Sequence, residues 1–435
     1  KEGVSMAKFS VAAVGDFMLV QRIHPEDKSA LAIKELIADA DVRFVNLEMQ
    51  IHDFEVYPAS ESGGTWAAGR PAALDDLKWM GFNLLATATN HSLDYGQEGL
   101  KKTIEHLNAR DFVYAGIGNN LTEASMPKYL DTPEGRVGFI STCSSGPNWN
   151  IASNPSGTNV GRPGTNMLRF DSVNYVSAED METLKAIVEK TYVNANTNLL
   201  TREGFLKPSK YYSVGNAKFD VGEPGTNTYC NARDLERIIS YVKDARRQAD
   251  TVLVSHHGHE MRGTDKQKAA SFMHDYARAC IDAGADAFLG HGPHILRGIE
   301  IYKGKPIFYS LGDFFLQNDS VECQPPEFYE KYGVDSFAPV SEAFAARSEN
   351  DTKGLMLDRL ALESVIVKFN IVDNVIKEVL LYPITLGLDK SRSRKGRPEL
   401  ADEENGTRIL QEFQGLCDEY GTKIIIEKGL GKIIL

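Results

Sequence analysis

Short apolar runs in this chain stop, again and again, at a small group of Asp, Asn, Glu or His residues. That recurrence limits the possible folds more than any other feature. Residues 9–14 end in Gly15-Asp16-Phe17-Met18, and residues 42–45 in Asn46-Leu47-Glu48. Residues 82–86 lead to Thr89-Asn90-His91-Ser92-Leu93-Asp94. Residues 251–254 lead to Ser255-His256-His257-Gly258-His259, and 285–289 to Gly290-His291-Gly292-Pro293-His294. Apolar runs without polar alternation suit strands buried on both faces. Between them, residues 28–38, 71–80, 97–109, 231–247 and 267–283 carry apolar residues at helical spacing. Strands alternating with helices predict an α/β sheet, and such sheets bind ligands at the strands' carboxyl ends. The polar groups at these strand ends should therefore meet on one edge.

A carboxylate, amide oxygens and several imidazoles make a mixed nitrogen and oxygen donor set. It suits one or two divalent ions, zinc, manganese or iron more than calcium or magnesium. Each residue also has a plainer reading. Asp16 could cap a turn, and Glu48 could support a ligand instead of being one. His91 could be a ligand, a ring bonded to Asp94, or a general acid or base; the last is favoured because histidine as a residue type suits proton transfer near neutral pH. His257 and His259 read as structural or solvent-facing.

Composition narrows the class. The chain has 435 residues, 42% hydrophobic and 25% charged, as expected of a globular protein with one large or two medium domains. Its net charge of -12 argues against nucleic acid as a partner. The five cysteines form no C-x-x-C motif, and no apolar run is long enough for a membrane span. Met6-Ala7-Lys8 reads as a natural start with no leader, which predicts a cytoplasmic protein. An extracytoplasmic protein whose signal has been removed is the alternative.

Two segments break the strand–helix rhythm. The expected division is a core of residues 6–143 and 230–315, an insertion of 144–229 over the site, and a tail of 316–435. That tail holds a second insertion, then strands and a helix that complete the core. Trp149, Arg162 and Arg169 in the first insertion, with Trp66 in the long loop 51–70, are candidates to bind substrate. A guanidinium forks a carboxylate or phosphate well, although either arginine could be a surface charge.

These motifs resemble those of calcineurin-like metallophosphoesterases, which place Asp, Asn and His ligands on successive strand ends. The closer resemblance is to the CapA-type poly-γ-glutamate capsule-synthesis family. It rests on Gly15-Asp16-Phe17-Met18, Asn46-Leu47-Glu48, Asn90-His91 with Asp94 and Gly96, His256 with Gly258, Gly290-His291-Gly292-Pro293-His294, and Tyr309-Ser310-Leu311-Gly312-Asp313-Phe314. They occur in family order over residues 10–315. The resemblance implies a mixed α/β fold, a four-layer α-β-β-α sandwich with inserted lid segments. It implies one metal on Asn90, His256 and His291, and a second shared by Asp16, Glu48 and His294. Asn46, Asp94 and Asp313 would then touch the ligands and not the ions. The chain departs from the phosphoesterase pattern at Met18, which stands where those enzymes have His. It departs again at Asn46-Leu47-Glu48, in place of a bridging Asp, and at the one-residue-longer 290–294 turn.

By that resemblance the chain is a metal-dependent enzyme on an anionic, peptide-like glutamyl substrate, working by hydrolysis or transfer. His91, Asp16 and His294 would be its catalytic groups. The alternatives are a phosphoester hydrolase, a peptide epimerase with Asp16 and His294 as its acid–base pair, and a non-catalytic accessory subunit of a capsule synthase.

Overall fold

A computed structural model describes residues 8–435; Met6, the expected start, lies outside the described residues. The first half-sandwich begins with β1 (Lys8–Met18), β2 (Val42–Leu47), β3 (Leu84–Ala86) and β4 (Val113–Ala115), all parallel. The second contains β5 (Lys128–Thr132), β6 (Gly135–Cys143), β7 (Thr251–His257), β8 (Ala287–His291), β9 (Leu296–Tyr302) and β10 (Lys305–Leu311). The chain then returns to the first sheet through β11 (Asp313–Leu316), β12 (Glu363–Val372), β13 (Val375–Thr385), β14 (Ile425–Glu427) and β15 (Leu430–Ile434).

The resulting strand orders are β14-β15-β13-β12-β1-β2-β3-β4, with β11 also on β1, and β9-β10-β8-β7-β6-β5. Helices α1 (Lys28–Ile37), α2 (Ala72–Met80) and α3 (Gly96–Asn108) cover the outer face of the first sheet. Helices α4 (Ala232–Gln248) and α5 (Ser271–Asp282) cover the outer face of the second. Between the sheets lie Phe9, Val11, Phe44, Phe139, Leu253, Leu289 and Phe308, closed at one end by α6 (Glu403–Cys417). Each such side chain, fully buried, contributes about 1.5–3 kcal/mol. This is a four-layer α-β-β-α sandwich.

Local chemistry sets the helix starts. Asp27 accepts from Ser29 N and Ala30 N, Asn231 from Arg233 N and Asp234 N, and Asp402 from Asn405 N. The helix expected from residue 267 begins instead at Ser271. Asp265–Ala269 pairs with Met261–Arg262, and the buried Arg297 holds the Lys266 carbonyl. Residues Phe170–Val176, Tyr212–Val214, Ala217–Val221 and Gly225–Cys230 form a separate four-stranded sheet whose last strand lies on α5.

One irregularity places the rest. In β1, Ala13 pairs with Phe44 but Asp16 pairs with Asn46, so one extra residue is inserted. Such a bulge reverses which face later residues present. Phe9, Val11 and Ala13 face the other sheet, yet beyond the bulge it is Asp16 that turns inward and Phe17 outward. Gly15 makes this possible, because a Cβ there would lie 1.8 Å from the Gly312 carbonyl oxygen. Gly15→Ala should therefore strongly destabilise the protein, by several-fold more than the ~0.5–1 kcal/mol typical of conformational glycine effects. A urea midpoint equal to wild type would refute this.

Residues 316–356 cover a small second core of Trp66, Tyr95, Val321, Phe328 and Phe344. Beside it His52 is fully buried, its ring 4.4 Å from that of Tyr95, with Nδ1 accepting from Phe54 N and Nε2 without a partner. Burial pushes its pKa down to about 4. The unfolded chain, titrating near ~6.5, then binds more protons between those values, so stability falls as pH drops through that window. His52→Asn should flatten this part of the stability–pH curve, measured by urea titration above and below it.

Candidate metal centre

Two sheets deliver their inward side chains to one edge. From β1 and the end of β2 come Asp16, Asn46 and Glu48; from β7 and its turn come His257 and His259. From β8 and its turn come His291 and His294, and from the start of β11 comes Asp313. Asp16, Glu48, His257, His291 and Asp313 are all at most 1% exposed. Three groupings have ligand atoms close enough to share an ion: Asp16 with His257 and His291; Glu48 with His259 and His294; and Asp16 with Glu48, His294 and Asp313.

The first grouping is a tight triangle. His257 Nδ1 lies 3.0 Å from His291 Nδ1, and Asp16 Oδ1 lies 3.6 Å and 3.4 Å from them. Atoms bound at about 2.0–2.2 Å to one ion lie roughly this far apart. Asp16 is held by Asn46 Nδ2 at 2.6 Å and by the Gly292 N–H at 2.9 Å. Ser255 Oγ, 2.6 Å from His291 Nε2, can accept that N–H and so leave Nδ1 free to bind. The other nitrogen of His257 lies 3.4 Å from Glu48 Oε1, 3.1 Å from His259 Nε2 and 2.7 Å from Asn90 Oδ1.

Two histidine–aspartate pairs flank Glu48. His294 Nδ1 is 2.9 Å from Asp313 Oδ1, and its Nε2 is 3.8 Å from Glu48 Oε1. His91 Nδ1 is 2.6 Å from Asp94 Oδ2, and its Nε2 is 4.0 Å from Glu48 Oε1. In both, the carboxylate can accept a hydrogen bond from Nδ1–H, which leaves Nε2 facing the site. His294 holds a left-handed backbone, φ 59°, uncommon for a residue with a side chain. The buried Arg297 donates to the carbonyls of Gly258 and His259 and so fixes the turn that carries His259.

These residues fit a cation. Both Glu48 carboxylate oxygens, Asp313 Oδ2 and Asn46 Oδ1 are buried without a hydrogen-bond partner. An unpaired buried carboxylate costs several kcal/mol. Burial, reinforced by Asp16, Asp313 and Asp94, pushes Glu48 well above the usual carboxyl range. Burial pushes His257, His259 and His291 well below the usual imidazole range, so they are neutral, the form that binds metal. His294 goes the other way: burial opposes its charge, but Asp313, by charge and hydrogen bond, together with Asp16 raises its pKa.

Of the residues expected here, Asp16, Glu48, His291 and His294 come together; Asn46 contacts Asp16, Asp313 contacts His294, Asn90 contacts His257 and Asp94 contacts His91. His256 does not join them. Along β7 Leu253, Ser255 and His257 face the other sheet, while Val252, Val254 and His256 face α4 and α5. His256 lies against Tyr276, 5.2 Å between rings, and contacts Thr142 and Ser144. The place expected of His256 in the first grouping is thus taken by its neighbour His257, and His259, read as structural, lies in the second grouping.

The expected substrate residues also move. Trp66 is 5% exposed in the small core, its Nε1 donating to the Ala59 carbonyl. Arg169 is forked to Asp234, Arg162 donates to the Ile151 carbonyl, and Trp149 lies partly exposed. The cleft over the centre, about 230 Å³, is lined instead by His91, His294, Met18, Gly63, Arg347 and Lys353. The last two come from the second insertion, which carries no motif that would have singled them out.

Comparison with known proteins agrees with this architecture. Residues 10–318 match the family described as bacterial capsule synthesis protein PGA_cap. The uncharacterized protein y4sH of Sinorhizobium fredii is 36% identical over 98% of this chain and 93% of its own length. The PGA biosynthesis protein CapA of Bacillus subtilis is 27% identical over 55% of this chain and 43% of its own. The capsule biosynthesis protein CapA of Bacillus anthracis is 26% identical, over 55% and 41% respectively. The match thus covers less than half of each Bacillus protein.

The geometry separates two adjacent histidines. His257→Ala should lose bound divalent metal, whereas His256→Gln should keep it. Elemental analysis after dialysis decides, and equal metal content in His257→Ala and wild type would sink the assignment.

Proposed function

This chain belongs to the bacterial capsule synthesis protein family, and from that premise we propose that it is a metal-dependent enzyme acting on an anionic, peptide-like glutamyl substrate. One observation carries the reading: two histidine–aspartate pairs face an unpartnered, buried Glu48 at the floor of a cleft that also holds Arg347 and Lys353. Asp16, His257 and His291 would hold one ion, and Glu48, His259 and His294 a second. The donor set favours zinc, manganese or iron over calcium or magnesium. When bound, such an ion supplies Lewis acidity toward a carbonyl or phosphoryl oxygen.

The chain's own groups supply the rest. Cleavage of an amide needs a proton on the departing amine. His294, its Nδ1 bonded to Asp313, can hold one on Nε2 when that nitrogen does not ligate the second ion. His91, oriented by Asp94, presents Nε2 to the same cleft and can take a proton. Arg347 is fixed by Thr65 Oγ1 at 2.5 Å, by Asp319, and by the rings of Phe328 and Phe344. A rigid guanidinium beside a flexible Lys353 suits recognition of substrate carboxylates.

Phosphoester hydrolysis is the competing chemistry for this fold. Met18 lines the cleft where the resembling phosphoesterases carry a histidine, and a thioether is a poor ligand for a hard dication. Metal-loaded protein should release amine from γ-glutamyl peptides and turn over aryl phosphates with kcat/KM below ~10⁴ M⁻¹s⁻¹. His91→Gln should lower kcat on the peptide by about 10²–10⁴-fold with metal retained. Efficient aryl phosphate cleavage without peptidase activity would reverse the assignment.

A further inference from the structure

Strand pairing holds most of the candidate metal centre but does not reach His259. In the first grouping, Asp16 pairs with Asn46, and His257 with both Cys143 and His291. In the second, Glu48 follows β2 directly, its N–H bonded to the Phe17 carbonyl, and His294 is tied through its ring to Asp313. His259 stands two residues beyond the end of β7, on a turn. Its ring must nevertheless meet Glu48 and His294 to complete the second grouping.

The start of the first insertion holds that turn. The His259 N–H donates to Ser145 Oγ at 2.8 Å, and Ser145 Oγ donates to Glu260 Oε1 at 2.9 Å. Ser144 Oγ donates to the other oxygen, Glu260 Oε2, at 2.7 Å. The Ser144 N–H also bonds the His257 carbonyl at 3.0 Å, so both serines are fixed to the end of β7. Arg297 donates to the carbonyls of Gly258 and His259. Both backbone polar groups of His259 are therefore engaged, each by a side chain. The approach is close, since a Cβ on Gly258 would lie 2.8 Å from Ser144 Oγ.

The same network accounts for His256, the motif histidine that the centre leaves out. Its Nε2 lies 3.1 Å from Ser144 Oγ, and its Nδ1 lies 2.9 Å from Thr142 Oγ1, which is 3.0 Å from Tyr276 OH. A serine hydroxyl has one proton. Ser144 donates it to Glu260, so toward His256 it can only accept, from Nε2–H. His256 Nδ1 then accepts from Thr142, and Thr142 from Tyr276. One chain of hydrogen bonds thus runs from α5 through His256, Ser144 and Glu260 to the turn that carries His259.

We infer that Glu260, acting through Ser145, is a positioning residue for the second ion. Glu260 belongs to none of the three ligand groupings, and both its oxygens are bonded to serines. It orients the Ser145 hydroxyl, which fixes the His259 backbone and so aims the ring at Glu48 and His294. The inference rests on the two-ion reading of the centre. It adds that the two ions are held by different means, the first by the paired strands and the second by a clamp belonging to the 144–229 insertion. Outer hydrogen bonds that orient a ligand are worth about 10–100-fold in metal affinity.

The test counts ions and is separate from turnover. Full-length protein loaded with cobalt(II) is dialysed against buffers of falling free cobalt. Retained metal is measured by elemental analysis, and visible absorption reports the coordination of the ions that remain. Wild type should hold two ions. Ser145→Ala removes the bond to His259, and Glu260→Ala removes the acceptor that orients Ser145. Each variant should release one ion at about 10–100-fold higher free cobalt than wild type, with the other ion held as before. Ser145→Ala, the smaller change, carries the test if Glu260→Ala folds poorly. Equal weakening of both ions, or retention of both as in wild type, overturns the positioning role and leaves the two-ion centre standing. Wild type that never holds more than one ion overturns that centre and the inference with it.

Discussion

A carboxylate buried among neutral histidines is the interaction on which this structure depends. Glu48 has no exposed surface, and neither oxygen has a hydrogen-bond partner. That burial is the main reason Glu48 is displaced so far from ordinary carboxyl behaviour, and Asp16 and Asp313, equally buried, add like charge. The nearby histidines do not offset this as cations, because burial keeps three of them neutral. A divalent ion would meet both needs, pairing with the carboxylates and accepting the imidazole lone pairs.

Much of the backbone irregularity in the molecule serves to hold these groups together. The bulge in β1 turns Asp16 inward, Gly15 lets β1 approach Gly312, and the left-handed His294 reaches back to Asp313. Arg297 carries a buried charge whose pKa falls to about 10, yet its three bonded carbonyls come from the turn and strand beside the centre. Such local costs persist where surrounding structure enforces them. Here the enforcement comes from two sheets packed face to face, each presenting parallel strand ends to the same edge.

The cleft joins two parts of the chain with different demands. Its floor is made by strand ends within the PGA_cap match, and its cationic wall by residues after 318, where that match ends. Trp66 links the two, since it lies in the small core beneath the second insertion while its own loop supplies Gly63 to the cleft. A change in the insertion can therefore alter the cationic wall of the cleft without touching the carboxylates and histidines of its floor.

The strand-end residues were legible in the sequence because a parallel sheet must bring its carboxyl ends to one edge, whatever else it does. Asp16, Glu48, Asn90, His91, His291 and His294 are read from that rule alone. The choice between His256 and His257 was not legible. Thr251 to Val254 is buried on both faces, so no alternation marks which side is inward, and only pairing with β8 assigns it. Arg162 and Arg169 looked like substrate ligands because the sequence does not show that Asp234 and the Ile151 carbonyl already hold them. Arg347 and Lys353 had no local signature, since their place depends on how residues 316–356 fold over Trp66. Periodicity and strand polarity are local properties of the chain; face, partner and proximity belong to the packed tertiary structure, which decided them.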